Sequence, residues 1–312
     1  MDRLSPQKIK QFQQHILDWY AQHKRDLPWR EVPVGTSLEQ KAYRVLVSEV
    51  MSQQTQIGRV VPKYEAWLEA FPTVQDLAEA QVGEILRLWS GMGYNRRALN
   101  LKKTAEVIVR DYDGKFPQDE KELLKLPGIG EYTARALLCF AFDKQVAVVD
   151  TNVRKVILVE LCHPDRSDSA VEGSHPTEQL GGMRFTTRAL PTAWGRLGFA
   201  WNDNSKEIQS IADQLLPVGQ AYDWNQALMD YATHVLKKEK IPIPKQSKFM
   251  GSHRYYRGQV LKTLLEKKKI SLSKLGVSLK KDYDSKWLES LVAELRDEGF
   301  VTVKENIVEF VS

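Results

Sequence analysis

Apolar residues recur at helical spacing along most of the chain. Ile9, Phe12, Ile16 and Tyr20 line one face of a helix over 5–23. Arg25-Asp26-Leu27-Pro28-Trp29-Arg30 breaks it, with Asp26 capping, pairing with Arg25 or lying in a solvated turn. The polar 31–39 loop, with its Pro and Gly, belongs at the surface. Ala42–Gln56 winds Val45, Leu46, Ser48, Glu49 and Ser52 round a second helix. Val60, Val61, Tyr64, Trp67 and Leu68 mark a helix over 57–72; Leu77, Ile85, Leu86 and Trp89 mark another over 74–90, and these aromatics read as core. Helices follow at 99–111 and 119–125. Leu126-Pro127-Gly128-Ile129-Gly130 interrupts the period, because a residue before proline leaves helical angles and glycine permits a tight turn. A helix restarts near Glu131 with Ala134, Leu137, Leu138 and Ala141 on one face. The β-like run Val146-Ala147-Val148-Val149 then leads into Asp150, and helices are expected at 152–162, 205–216 and 222–238.

The C-terminal pattern differs. Helices over 255–268, 271–279 and 284–298 precede a β-hairpin of Gly299–Val303 and Ile307–Val311, which suggests a winged helix spanning 254–312. Its expected recognition helix carries Asp284, Glu289, Glu294, Asp297 and Glu298, an acidity that also suits packing against protein. Residues 163–205, rich in Ser, Gly, Pro and Asp, read as an insertion with an island at Phe185–Trp201 that carries Arg188 and Arg196, just after Arg184.

The 312 residues suffice for two or three domains, and an apolar fraction of 42% argues against a disordered chain. A net charge of +5 with a pI near 8.9 permits nucleic-acid binding. No long apolar run or signal-peptide pattern is seen, so no membrane role and a cytoplasmic site, nucleoid-associated in a bacterium, are expected. Cys139 and Cys162 lie in apolar surroundings, as buried thiols of a reducing compartment would.

Three stretches carry candidate chemistry. Gly128 and Gly130 allow close backbone approach, and the first amides of the following helix suit a phosphate, although Pro-Gly-Ile-Gly is also an ordinary turn. Glu49 sits between Val47 and Val50, where lost solvation favours the protonated form and general-acid work; facing solvent or pairing with Arg44 or Arg59 is the alternative. In Gly91-Met92-Gly93-Tyr94-Asn95-Arg96-Arg97-Ala98, glycines before an aromatic and two arginines cradle a phosphate or turn a corner.

The LPGIG hairpin, Tyr132-Thr133-Ala134 and Val149-Asp150-Thr151-Asn152-Val153 together resemble the helix-hairpin-helix glycosylases related to endonuclease III. Ser48-Glu49-Val50-Met51 followed by Gln53-Gln54-Thr55-Gln56 resembles the MutY-type A/G mismatch branch. The Trp224–Tyr231 run resembles the helix that closes the second domain, and the whole resemblance covers roughly 8–162 and 205–248.

The resemblance implies a mainly α, two-lobed helical core with a helix-hairpin-helix motif over 1–248, to which the small α+β winged-helix-like module is appended. The core would divide into a six-helix module of about 31–142 and a second lobe from 1–30 and 143–248. It also implies a DNA glycosylase of base-excision repair that removes adenine mispaired with 8-oxoguanine or guanine. Glu49 would be the catalytic acid, and Asp150 the carboxylate facing the sugar, kept ionised. Asn152 would orient these groups or the water, and Gln53 and Gln54 would begin a loop that wedges into the base stack. Gly128 and Gly130 would hold a DNA phosphate, and Tyr94, Arg96 or Arg97 would face DNA, the assignment of each being open. Tyr132 stands where bifunctional members carry a lysine nucleophile, so hydrolysis without strand cleavage is expected. The expected partner is double-stranded DNA with a mismatch or oxidised guanine, met by a monomer.

Two departures from the family pattern matter. Two cysteines cannot supply the four ligands of an iron–sulfur cluster, so no cofactor is expected, and the lysines of 237–248 would replace the basic surface the cluster loop supports or form a charged linker. Nothing in 254–312 resembles the nudix-like domain that inspects 8-oxoguanine. A mismatch thymine or uracil glycosylase, which in this family also carries Tyr at position 132, and a catalytically silent DNA-binding protein are the alternatives.

Overall fold

The computed structural model describes residues 5–161, 205–238, 248–279 and 285–311. The expected insertion with its arginines, Cys162, Lys240 and Lys245 of the 237–248 stretch, and Asp284 lie outside the described residues. The described chain is mostly helical, with one small antiparallel sheet near the C-terminus. It forms two compact units: Met1–Asp26 with Leu138–Ile243, and Leu27–Leu137 with Pro244–Ser312.

The first unit begins with α1 (Pro6–His23), started by a Ser5 cap that accepts from the Lys8 amide. It continues through α9 (Thr151–Val156), α10 (Ser205–Leu215) and α11 (Ala221–His234). α1 buries Ile16 and Tyr20, and its Phe12 meets Trp224 of α11 edge to face, with ring centroids 5.7 Å apart. Arg25 joins the same helix. Its amide and Nε donate to the Asp230 carboxylate at 3.0 and 2.7 Å, and Asp230 is only 1% exposed. Arg25 thus pairs with a carboxylate 205 positions away, and the neighbouring Asp26 is not its acid partner.

The second unit contains α2 (Leu38–Ser52), α3 (Ile57–Ala70), α4 (Val74–Glu79), α5 (Val82–Trp89), α6 (Arg96–Tyr112), α7 (Glu120–Leu123) and α8 (Glu131–Ala136). Tyr43, Leu46, Tyr64, Trp67, Trp89 and Leu101 are fully buried, so the expected aromatic core is present. Trp67 Nε1 donates to Tyr43 Oη, which donates to Phe71 O at 2.8 Å. The single helix expected over 74–90 is two helices. Thr73 and Asp76 form a capping box that starts α4, and Ala80 and Gln81 turn extended before α5. Gly83, poor in a helix interior, falls in the first turn of α5, where a Cβ would meet the Phe310 ring at 3.1 Å.

The C-terminal part of this unit comprises α12 (His253–Lys267), β1 (Lys269–Ser271), α13 (Leu272–Ser278), α14 (Ser285–Asp297), β2 (Val301–Lys304) and β3 (Ile307–Phe310), with strand order β1-β3-β2. The β2–β3 turn places Glu305 and Asn306 at φ of 49° and 62°, the geometry of a tight two-residue hairpin. The short β1 was not expected, since three residues carry no readable period. Two of the expected acids pair with α12: Arg257 donates to Glu294 of α14 at 3.0 Å and to Glu298 just beyond it at 2.7 Å, while Lys103 of α6 donates to the backbone carbonyl of Glu298.

Candidate active site

Glu49 lies on α2, one turn before its end, on a helix that buries Val45, Leu46, Val47, Val50 and Met51. Its carboxyl is half-buried, and Tyr132 Oη donates to its Oε2 at 2.5 Å. Tyr132 comes from the first turn of α8, directly after the glycine hairpin. One residue on, Thr133 accepts from Gln53 Nε2 at 3.4 Å. The end of α2 and the start of α8 are thus stitched side chain to side chain, and the structure brings Glu49, Tyr132 and Gln53 together.

The hairpin is built as its sequence requires. Gly128 takes φ +76°, and a Cβ there would fall 2.6 Å from the Asn100 side chain, so only glycine fits. Thr104 Oγ1 holds the Pro127 carbonyl at 2.6 Å. Gly130 is the N-cap of α8 and, like Gly128, is exposed. Gln54 and Tyr94 both stand exposed at left-handed angles, φ 52° and 47°, and Arg96 is exposed.

Arg97 departs from expectation. It does not face outward for DNA with Tyr94 and Arg96. Its guanidinium turns inward onto the carbonyls of Val50, Met51, Gln53, Met92 and Gly93 and onto Thr55 Oγ1. Burial pulls its pKa down, with Tyr94 opposing, yet an arginine stays charged in either case.

Asp150 and Asn152 belong to the other unit. Asp150 is the N-cap of α9: its Oδ1 accepts from the Val153 amide at 2.7 Å and its Oδ2 from Asn152 Nδ2 at 2.8 Å. Burial pushes the carboxyl above its ordinary range, outweighing these two donors, which favour the anion. The carboxylate expected to stay ionised is therefore held upward by lost solvation.

The β-like run before Asp150 joins no sheet. Side chains replace the missing strand. Asn225, 1% exposed on α11, accepts from the Val148 amide at 2.8 Å and donates to Val146 O at 3.0 Å, the two groups a neighbouring strand would pair. Gln209 of α10 donates to the carbonyl between them, Ala147 O, at 3.2 Å. Sequence reasoning missed both residues. The available signal was a polar residue on α11, a helix whose Ala221 and Trp224–Ala232 are all buried.

The donor set does not fit a four-thiolate iron–sulfur cluster. The sequence has two cysteines, and Cys139 is buried within hydrogen-bonding reach of Asn225 Nδ2 at 3.3 Å. Among the described residues no group of three or more His, Cys, Asp or Glu side chains is arranged to hold a metal.

Residues 47–172 match the family model of the HhH-GPD superfamily base excision DNA repair proteins. The adenine DNA glycosylase of Mycolicibacterium smegmatis is 49% identical over 142 residues, covering 46% of either chain. That of Mus musculus is 34% identical over 258 residues, covering 81% of this chain and 44% of the mouse protein. The chain thus spans less than half the length of these curated relatives. Among solved structures, a thermostable thymine-DNA glycosylase superposes with a TM-score of 0.56 at 27% identity, covering 78% of this chain and 92% of that one. An endonuclease III trapped on DNA gives 0.52 at 20% identity, with the same two coverages, and shares the fold. Residues 47–172 thus resemble the HhH-GPD superfamily base excision DNA repair proteins, and the chain is similar to the adenine DNA glycosylases over part of their length.

Proposed function

We propose that the protein is a DNA glycosylase that hydrolyses the bond between adenine and deoxyribose where adenine is mispaired with 8-oxoguanine or guanine, and that it does not cut the strand. The observation that carries this reading is the Tyr132–Glu49 hydrogen bond. A hydroxyl, which forms no Schiff base, stands against a half-buried carboxyl whose rotation it fixes.

The glycosidic bond is out of reach inside the stack, so the nucleotide must first leave the duplex. Gln53 and Gln54, on the turn after α2, fill the space it vacates. Gly128, Gly130 and the first amides of α8 hold a phosphate, with Tyr94 and Arg96 exposed beside the glycine turn. Glu49 gives its proton to an imidazole nitrogen of the purine, which makes the base a better leaving group, an effect worth roughly 10²–10⁴-fold. Asp150, once ionised, stabilises the cationic sugar, and Asn152 holds the carboxylate in place. Water adds to the sugar carbon and its proton returns to the Glu49 carboxylate, so one C–N bond is exchanged for one C–O bond and Glu49 is restored.

Base release from A·8-oxoguanine, A·G, T·G and U·G duplexes tests the proposal. Release of adenine from the first two is expected, with no strand cleavage and no adduct trapped by borohydride. Glu49→Gln and Asp150→Asn should each abolish release yet bind the duplex. Full activity in either variant would overturn the assignment. The superposition on a thymine-DNA glycosylase supports a second reading, in which release from T·G exceeds release from both adenine duplexes.

A further inference from the structure

We infer that Arg97 is a positioning residue of this glycosylase: one half-buried guanidinium clamps the two turns that present Gln54 and Tyr94 and fixes the end of the helix that carries Glu49. The inference rests on the reading above for its catalytic consequence, though not for its geometry.

Helix α2 ends without the glycine that usually follows a helix. Gln54 takes the left-handed angle in its place, and the last carbonyls of the helix need donors. Arg97 supplies them from 44 to 47 positions away. Its Nη1 reaches Val50 O at 2.8 Å, Met51 O at 3.2 Å and Gln53 O. Its Nη2 reaches Thr55 Oγ1 at 3.0 Å, then Met92 O and Gly93 O, both at 3.3 Å.

Two of these acceptors decide the argument. Gln53 O is the carbonyl immediately before Gln54, and Gly93 O is the carbonyl immediately before Tyr94. Gln54 and Tyr94 are non-glycine residues with positive φ, a conformation that persists only where surrounding contacts enforce it. A single side chain thus enforces both, and it couples the two turns so that neither relaxes alone. Trp89 supports the arrangement: its Nε1 also donates to Gly93 O, at 2.9 Å, and the guanidinium lies 5.2 Å from its ring centre and 5.6 Å from that of Tyr94.

Beneath the clamp is a cavity of about 40 Å³ lined by Gln53, Arg97, Asn100 and Gly128 among others. Arg97 Nε is buried with no protein partner among the described residues, and the cavity has room for a water to accept from it. Reaching a phosphate would cost Arg97 these acceptors, so its charge serves the protein's own carbonyls.

Lysine retains the charge but lacks the planar fork that spans both turns. In the full chain, Arg97→Lys and Arg97→Ala are each read in three ways. Amide exchange should quicken in 53–56 and in 92–95 together, with the α8 amides unchanged. Single-turnover adenine release should fall roughly 10–100-fold, as expected for lost hydrogen bonds to a charged group, and added guanidinium should restore part of the rate of the Arg97→Ala variant. The slope of log Kd for duplex against log salt should match wild type. A slope reduced by about one would mean a phosphate contact and overturn the inference, as would unchanged exchange or a full release rate. Should wild-type protein release no base from any duplex, the glycosylase reading fails by itself, and the exchange measurement still decides for or against the clamp. If Arg97→Ala does not fold, Arg97→Lys still carries the exchange and release-rate readings, either of which, unchanged from wild type, would overturn the inference.

Discussion

Glu49 and Asp150, the two candidate acids, are held by opposite kinds of architecture. Glu49 rides on a regular fifteen-residue helix and takes a hydrogen bond from a residue just past a glycine hairpin. Asp150 ends a segment with no strand partner, whose backbone is paired by the side chains of Asn225 and Gln209. The unit that carries Asp150 is further tied by Arg25 to Asp230. Regular structure tolerates the loss of one side chain, because its backbone bonds remain. A segment paired by side chains does not, because each lost amide strands buried backbone groups. The prediction that follows is an asymmetry: substituting the side chains that pair the segment before Asp150, or that tie its unit together, damages stability first and chemistry through it, whereas removing the hydroxyl that holds Glu49 damages chemistry with the fold intact.

The largest effect belongs to the Arg25–Asp230 pair. Arg25→Met leaves a carboxylate that is 1% exposed without its cation and should cost about 3–5 kcal/mol in urea unfolding. A loss under about 1 kcal/mol would place this pair among ordinary surface ion pairs and break the comparison. Next is Asn225→Leu, close in volume but unable to bond. Val148 N–H and Val146 C=O lose their partner, at about 1–3 kcal/mol for each buried group left unsatisfied. Base release should fall in the same variant under conditions where it remains folded. Unchanged stability would show that the segment does not depend on α11.

Tyr132→Phe sharpens the other side. It removes only the hydroxyl that fixes Glu49, so release should slow roughly tenfold, from a loss of about 1.4 kcal/mol in transition-state stabilisation. The melting temperature should barely move. A large stability loss with an unaltered rate would reverse the assignment of roles.

The same contrast decides what was legible in the sequence. α1, α2 and α6 follow from apolar spacing, and the hairpin follows from Pro127 and Gly128, because those signals are local and backbone-determined. Glu49 stood out as a charge inside an apolar run. Asn225 and Gln209 did not stand out, since a carboxamide acting in place of a strand leaves no period and its partners lie 77–79 and 62 positions away. The pairing of Arg25 with Asp230 was hidden for the same reason. Arg97 was legible as a charge beside glycines and an aromatic, but an arginine serving phosphates and one serving carbonyls have the same neighbours in sequence. β1 and the break at Ala80–Gln81 are too short to leave any pattern.

The smallest effect is a gain. Burial raises the Asp150 pKa above the ordinary 3.8, against the pull of the Val153 amide and Asn152. A raised carboxyl means that the folded protein holds the proton more tightly than the unfolded chain does. Its contribution to stability is complete below the ordinary value and is lost as pH climbs through the folded pKa. Asn at this position has no charge to bury and remains a good helix cap. Asp150→Asn should therefore melt with wild type in acid. As pH rises above 3.8 it should melt progressively higher than wild type, levelling once the folded pKa is passed. A wild type that is the more stable at neutral pH would mean that the amide donors outweigh burial, and that the carboxylate rests comfortably as an anion. The predicted outcome sets stability against catalysis at one carboxyl: the group whose charge the proposed reaction needs is the group whose charge the free protein resists.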